Sequence, residues 1–176
     1  MAQYQLLDNR TVYDNGFICV TEDKVIRPGG QEGLFALVKM RDGATVLPVT
    51  PDLKVYLAQE YKYSMRRDCL ELMSGGIEEG ESPLDAAKRE LKEELGLAAK
   101  QWTPMGYVDP FTATVNSRNY MYMAQDLESV EAQNDPNEIV KLVLVSLSDA
   151  IGMLMDGIIT HSASCVLLLK AARLLG

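Results

Sequence analysis

The sequence is poor in the side chains that most often carry nucleophilic or zinc chemistry. It has three cysteines and a single histidine. Cys19, Cys69 and Cys165 are odd in number, far apart and set among apolar neighbours, which reads as small buried hydrophobes in a reducing compartment. A nucleophilic cysteine would want a base, and His161 is the only histidine to supply one. No Cys/His cluster exists to bind zinc. There is no low-complexity tract and no Pro/Gly/Ser-rich linker to divide the 176 residues, a length that suits one domain with a sizeable core. Apolar runs such as residues 166–169 are far too short to span a bilayer. The opening Met-Ala-Gln-Tyr-Gln lacks the basic-then-apolar order of a secretory signal, so the expected compartment is the cytoplasm. The formal net charge of −8 argues against a non-specific nucleic-acid binder, which needs a basic surface. An anionic substrate stays possible if metal ions neutralise a local acidic cluster.

What the sequence does have is a change of period. Residues 17–25, 34–40, 44–49, 54–59 and 69–73 are strand-like, separated by turn residues such as Pro28, Gly29 and Gly30. Ser74, Gly75 and Gly76 are read as a break. Ser82 and Pro83 then start a helix: the hydroxyl can accept from an orphan N–H, and proline suits the first helical position. Leu84, Ala87, Leu91 and Leu95 form one apolar stripe at helical spacing, and Gly96 ends the helix. Strands follow at 105–109, 119–124 and 139–145. Two further helices are expected, one capped by Ser148 and stopping at Gly157, the other capped by Ser162 and running towards Leu175. The order predicts an α/β (α+β) fold, a mixed sheet sandwiched between helices.

Residues 75–97 read GGIEEGESPLDAAKRELKEELGL. At about 100° per residue, Glu90 and Glu94 point the same way and Glu93 lies one step aside, all away from the apolar stripe. Carboxylates so close repel one another, and a hard divalent cation relieves that repulsion. The plainer alternative is a solvated acidic face offset by Lys88, Arg89 and Lys92.

The same segment resembles the Nudix box, G-x5-E-x7-R-E-U-x-E-E-x-G-U, where U is a bulky aliphatic residue. Gly75, Glu81, Arg89, Glu90, Leu91, Glu93, Glu94, Gly96 and Leu97 match every fixed position. A chance match in such a chain has a probability on the order of 10⁻⁶ to 10⁻⁷. The resemblance implies a Mg²⁺-dependent hydrolase, with Mn²⁺ as a substitute, cutting a diphosphate linkage by metal-assisted attack of water. By position it makes Glu90 and Glu94 the principal metal ligands and Glu93 a further ligand or an outer partner. It adds the Ser74 carbonyl to the metal shell. Arg89 orients a glutamate, Glu81 accepts from it or helps the metal, and Gly75 lets the loop approach the helix.

Outside the box, residues 43–169 resemble the ADP-ribose and GDP-mannose pyrophosphatase branch of that family. The carriers are GATVLPV at 43–49, VYLAQEYK at 55–62, ELMSG at 71–75, and the DGII and VLLL segments at 156–159 and 166–169. The resemblance implies ADP-ribose as leading substrate, cut to AMP and ribose 5-phosphate. GDP-mannose or another nucleoside diphosphate sugar comes next, then a nucleoside triphosphate, then a non-catalytic ligand sensor. Lys62 stands where the branch has a substrate-binding arginine, and can contact phosphate without the bidentate fork. Glu138 is a candidate base or ligand, or else an exposed loop acid; Asp135 is the weaker choice. Where the branch shows Ser-Pro-Gly, this chain has Asp109-Pro110-Phe111. Phe111 then stacks on a base or merely packs, and Arg118 meets a phosphate or only solvent. The resemblance also implies that residues 1–42 form an antiparallel β extension to a main domain of 43–176, with Tyr13 as an aromatic candidate for the base and a homodimer as the consequence.

Overall fold

The computed structural model describes residues 3–131 and 140–176. These residues divide into two compact units, one of 43–108 with 119–176, the other of 1–42 with 109–118. Residues 109–118, assigned from sequence to the main domain, therefore fold with the N-terminal segment.

In the larger unit the central sheet is built from β4 (Gly43–Pro48), β7 (Met73–Gly76), β8 (Leu97–Val108) and β10 (Asn119–Ser129), in the order β7-β4-β10-β8. The β4–β10 pair is parallel and the other two are antiparallel, so the sheet is mixed. Successive residues of β4 face opposite sides. Ala44 and Val46 are fully buried against Ala86, Ala87 and Leu91 of helix α1 (Pro83–Leu95). Leu47 faces the other way, into a core completed by Ala150 of α2 (Leu147–Met155) and by Leu167 and Leu168 of α3 (Ser162–Leu175). Helices thus cover both faces, which is the sandwiched mixed sheet expected. A second sheet of the same unit pairs β11 (Lys141–Ser146), β5 (Lys54–Lys62) and β6 (Arg67–Glu71) in the order β11-β5-β6.

The smaller unit is a sheet of β1 (Gln5–Asp14), β2 (Ile18–Ile26), β3 (Glu32–Met40) and the short β9 (Val115–Asn116). Its first three strands are antiparallel, and β1 is exposed along its whole length.

Four local readings change. Ser74, Gly75 and Gly76 do not break a strand; they form β7 beside β4. The strand expected at 105–109 begins eight residues earlier, at Leu97. Helix α2 is capped by Ser146, whose side chain accepts from the Asp149 amide at 3.0 Å, and not by Ser148. His161 occupies the cap position of α3 with no side-chain capping bond, so Ser162 is the first helical residue. Among the described residues no helix is long and apolar enough to cross a membrane.

Candidate active site

Helix α1 carries most of the box, and its ends are fixed by the chemistry of their residues. Ser82 Oγ accepts from the Asp85 amide at 3.2 Å, Pro83 follows, and Asp85 sits in the first turn where the helix dipole favours a negative charge. At the far end Gly96 adopts a left-handed conformation, φ 59° and ψ 37°, and its N–H reaches the carbonyls of Leu91 and Lys92. Burial of Leu91 and two alanines decides which face packs, and that places Arg89, Glu90, Glu93 and Glu94 on partly exposed turns.

Arg89 is the hub of those turns. Its Nε and Nη2 fork onto Glu81 Oε1 and Oε2 at 3.0 and 3.1 Å. Nη1 donates to Glu90 Oε1 at 2.6 Å and to Glu93 Oε2 at 3.1 Å, and Nη2 also donates to the Gly76 carbonyl at 2.8 Å. One guanidinium therefore joins three box glutamates to strand β7, which a lysine ammonium could not do with the same geometry. The bond to Glu81 is the largest cause holding Arg89 charged, against the cost of its burial, with Glu90 and Glu93 adding to it. Glu81 in turn accepts from the Glu78 amide at 3.0 Å, and Arg89 holds its carboxyl below the ordinary range.

Gly75 explains how the strand and helix come together. A side chain here would overlap the Glu90 carboxylate, so only glycine lets that group lie against the β7 backbone. The Glu90 side chain is 12% exposed there, whereas that of Glu93 is 37% exposed. Among the described residues no three His, Cys, Asp or Glu side chains are gathered as a ready-made metal cluster; the box carboxylates are spaced around Arg89. The donor set is all hard oxygen, and carboxylates of this kind are what a hard divalent cation takes. The residues present fit that ion.

Lys62, at the end of β5, is half-buried and ion-paired with Glu60 at 2.5 Å. Burial is the largest single cause and pulls its pKa down, but the hydrogen bond and charge of Glu60 and the charges of Glu71 and Glu94 together outweigh it, so the net shift is upwards. Lys62 and Glu94 thus feel one another electrostatically, which brings a residue of the second sheet into the surroundings of the box. Glu71 also lies 3.9 Å from His161 Nδ1.

Tyr13, Phe111 and Arg118 all belong to the smaller unit. Tyr13 lies on β1 and Phe111 in the turn before β9, both exposed. Arg118 Nε pairs with Asp109 at 3.4 Å and its amide donates to Asp42 Oδ1 at 2.8 Å. Glu138 and Asp135 lie outside the described residues. Sequence reasoning missed the fully buried hydroxyls of Ser164 and of Thr45, the latter bonded to Ser74 Oγ at 2.9 Å and to Asn119 Oδ1 at 2.8 Å.

A NUDIX domain model matches residues 39–163, well over half of the chain and including the whole box. The chain belongs to the Nudix hydrolase family. This Nudix hydrolase is 27% identical over 142 residues to an ADP-ribose pyrophosphatase of Bacillus subtilis (strain 168), covering 80% of this chain and 77% of that one. It is 25% identical over 175 residues to a methanol dehydrogenase activator of Bacillus methanolicus, covering 94% and 91%. A crystal structure of an ADP compounds hydrolase superposes with a TM-score of 0.87 over 98% of this chain and 94% of that one, at 24% sequence identity, which shows a shared fold.

Proposed function

We propose that this Nudix hydrolase cuts the diphosphate of ADP-ribose, releasing AMP and ribose 5-phosphate, with Mg²⁺ as its metal and Mn²⁺ as a substitute. GDP-mannose and other nucleoside diphosphate sugars are the next substrates in order. The observation that carries the reading is the box helix itself, with Glu90 seated against Gly75 and bridged through Arg89 to Glu81 and Glu93. The relative named as an ADP-ribose pyrophosphatase, matched along four fifths of this chain, supports the substrate.

Glu90 and Glu94 would hold the metal, with the Ser74 carbonyl as a further ligand and Glu93 as a ligand or an outer partner. Bound there, Mg²⁺ draws charge from the diphosphate oxygens and acidifies water. Arg89 keeps the carboxylates spaced and oriented and remains structural. Lys62, held protonated, gives a point charge for a substrate phosphate. Glu138 is our candidate base, and Tyr13, Phe111 and Arg118 are our candidates for contacts to the nucleoside or its phosphate. The functional form is a homodimer formed through the smaller unit. Supporting this, β1 is exposed throughout, and Leu6, Val12, Tyr13 and Phe17 present apolar surface that a second copy could cover. We take the cytoplasm as the site of action, since Cys19, Cys69 and Cys165 are all free thiols.

The deciding experiment is a panel of ADP-ribose, GDP-mannose and deoxynucleoside triphosphates with Mg²⁺ or Mn²⁺, with products separated and quantified. ADP-ribose should show the highest kcat/KM and yield AMP. Faster turnover of a deoxynucleoside triphosphate would overturn the substrate, and no hydrolysis of any diphosphate would overturn the reading as a whole.

A further inference from the structure

We infer that Thr45 and Asn119 are positioning residues for Glu90, acting through Ser74 and strand β7; this rests on the reading of Glu90 as a metal ligand. Strand β7 is only four residues long, and among the described strands it is the edge of its sheet, paired to β4 alone. Its ladder puts Thr45 opposite Ser74 and Ala44 opposite Gly75. Directly opposed residues share a face, and neighbours along a strand alternate. Ala44 packs against α1, so Gly75 faces α1 and Glu90, while Thr45 and Ser74 face the other side.

On that other side the three polar side chains close a ring. Thr45 Oγ1 donates its only proton to Asn119 Oδ1 at 2.8 Å, so at 2.9 Å it accepts from the Ser74 hydroxyl. Asn119 Nδ2 donates back to Ser74 Oγ at 3.4 Å. Each member gives once and receives once, across three neighbouring strands, with Thr45 fully buried. A valine at position 45 would fill the same space but leave Ser74 and Asn119 each short of a partner, so the ring does more than fill space. A short, glycine-containing edge strand holds its register weakly, and a slip that set Ser74 opposite Ala44 would turn a side chain to the place that Gly75 leaves for the Glu90 carboxylate. The ring pins the register from one face, while Arg89 holds the Gly76 carbonyl. Between these two anchors lies the wall on which Glu90 rests.

The test reads metal affinity without catalysis, by titrating Mn²⁺ into the protein and following free Mn²⁺ by electron paramagnetic resonance, alongside unfolding midpoints. Thr45→Val should weaken Mn²⁺ binding by about tenfold or more, the loss typical when a group supporting a ligand is removed. Thr45→Ser, which keeps the hydroxyl, should restore it. Ser74→Ala opens the ring from the edge strand and should weaken binding similarly, which keeps the idea testable if Thr45→Val fails to fold. Wild-type Mn²⁺ affinity in folded Thr45→Val or in Ser74→Ala would overturn the inference while leaving Glu90 as ligand. Glu90→Gln separates the two levels: if it too bound Mn²⁺ like wild type, the underlying reading of Glu90 would fail.

Discussion

A carboxylate one turn along from Glu90 offers the simplest probe of the site at the scale of a residue. Glu94 lies close enough to Lys62 for its charge to favour the ammonium, and its amide analogue keeps size while removing charge. Glu94→Gln should retain the unfolding temperature within a few degrees and lower kcat by about 10²- to 10³-fold, as expected when one charge-stabilising group leaves a preorganised site. Steady-state kinetics with saturating Mg²⁺ decide it; near-normal turnover would remove Glu94 from the metal shell. The box residues were legible because their chemistry is written as one linear pattern, so side-chain type and helical spacing sufficed. The Thr45–Ser74–Asn119 ring was not. Its members are 29 and 74 positions apart in sequence, each is an ordinary strand or turn residue taken alone, and only the strand order brings them together.

At the scale of the element, α1 was read correctly at both ends because its signals are local: Ser82 and Pro83 before it, Gly96 after it. Replacing Ser82 by alanine should cost about 1 kcal/mol, the usual worth of a capping hydroxyl. Denaturant titration would show this as a lower midpoint with unchanged slope, and no loss would mean that Pro83 and Asp85 suffice to start the helix. Helix α2 shows how a near-tie misleads. Ser146 and Ser148 are two apart, and Ser146 stands three before Asp149 as Ser82 stands three before Asp85. That repeated spacing was the available clue. Strand β8 was half missed because residues 97–104, LAAKQWTP, contain little that favours a strand locally. Its pairing with β10, from Leu97↔Ser129 to Val108↔Asn119, supplies the stabilisation that propensity lacks.

For the whole molecule, stability should vary with pH through the one histidine. His161 is largely buried, and burial is the main cause lowering its pKa; Lys62 adds to this and Glu71 opposes it. Its Nδ1 lies 2.9 Å from Ser164 Oγ, which also accepts from the Leu72 amide. In the unfolded chain the imidazole takes a proton near pH 6.5, whereas the folded form resists it. The stability is therefore fully present above about pH 6.5 and falls as the pH drops towards the folded value. Unfolding midpoints measured from pH 8 to 5 should decline on the acid side, and His161→Gln should flatten the upper part of that decline. An unchanged profile in the variant would mean that carboxylates alone set it.

The parallel pairing of β4 with β10 bears on how the protein is made. Residues 43–48 cannot find their partner until 119–124 have left the ribosome, so the box helix emerges with its docking surface half assembled. Such long-range closure slows folding, into the millisecond-to-second range for small domains rich in distant contacts. Until it happens, the box helix has only β4 and β7 to lean on, and a chain cut short before Asn119 carries every letter of the motif on an unfinished sheet.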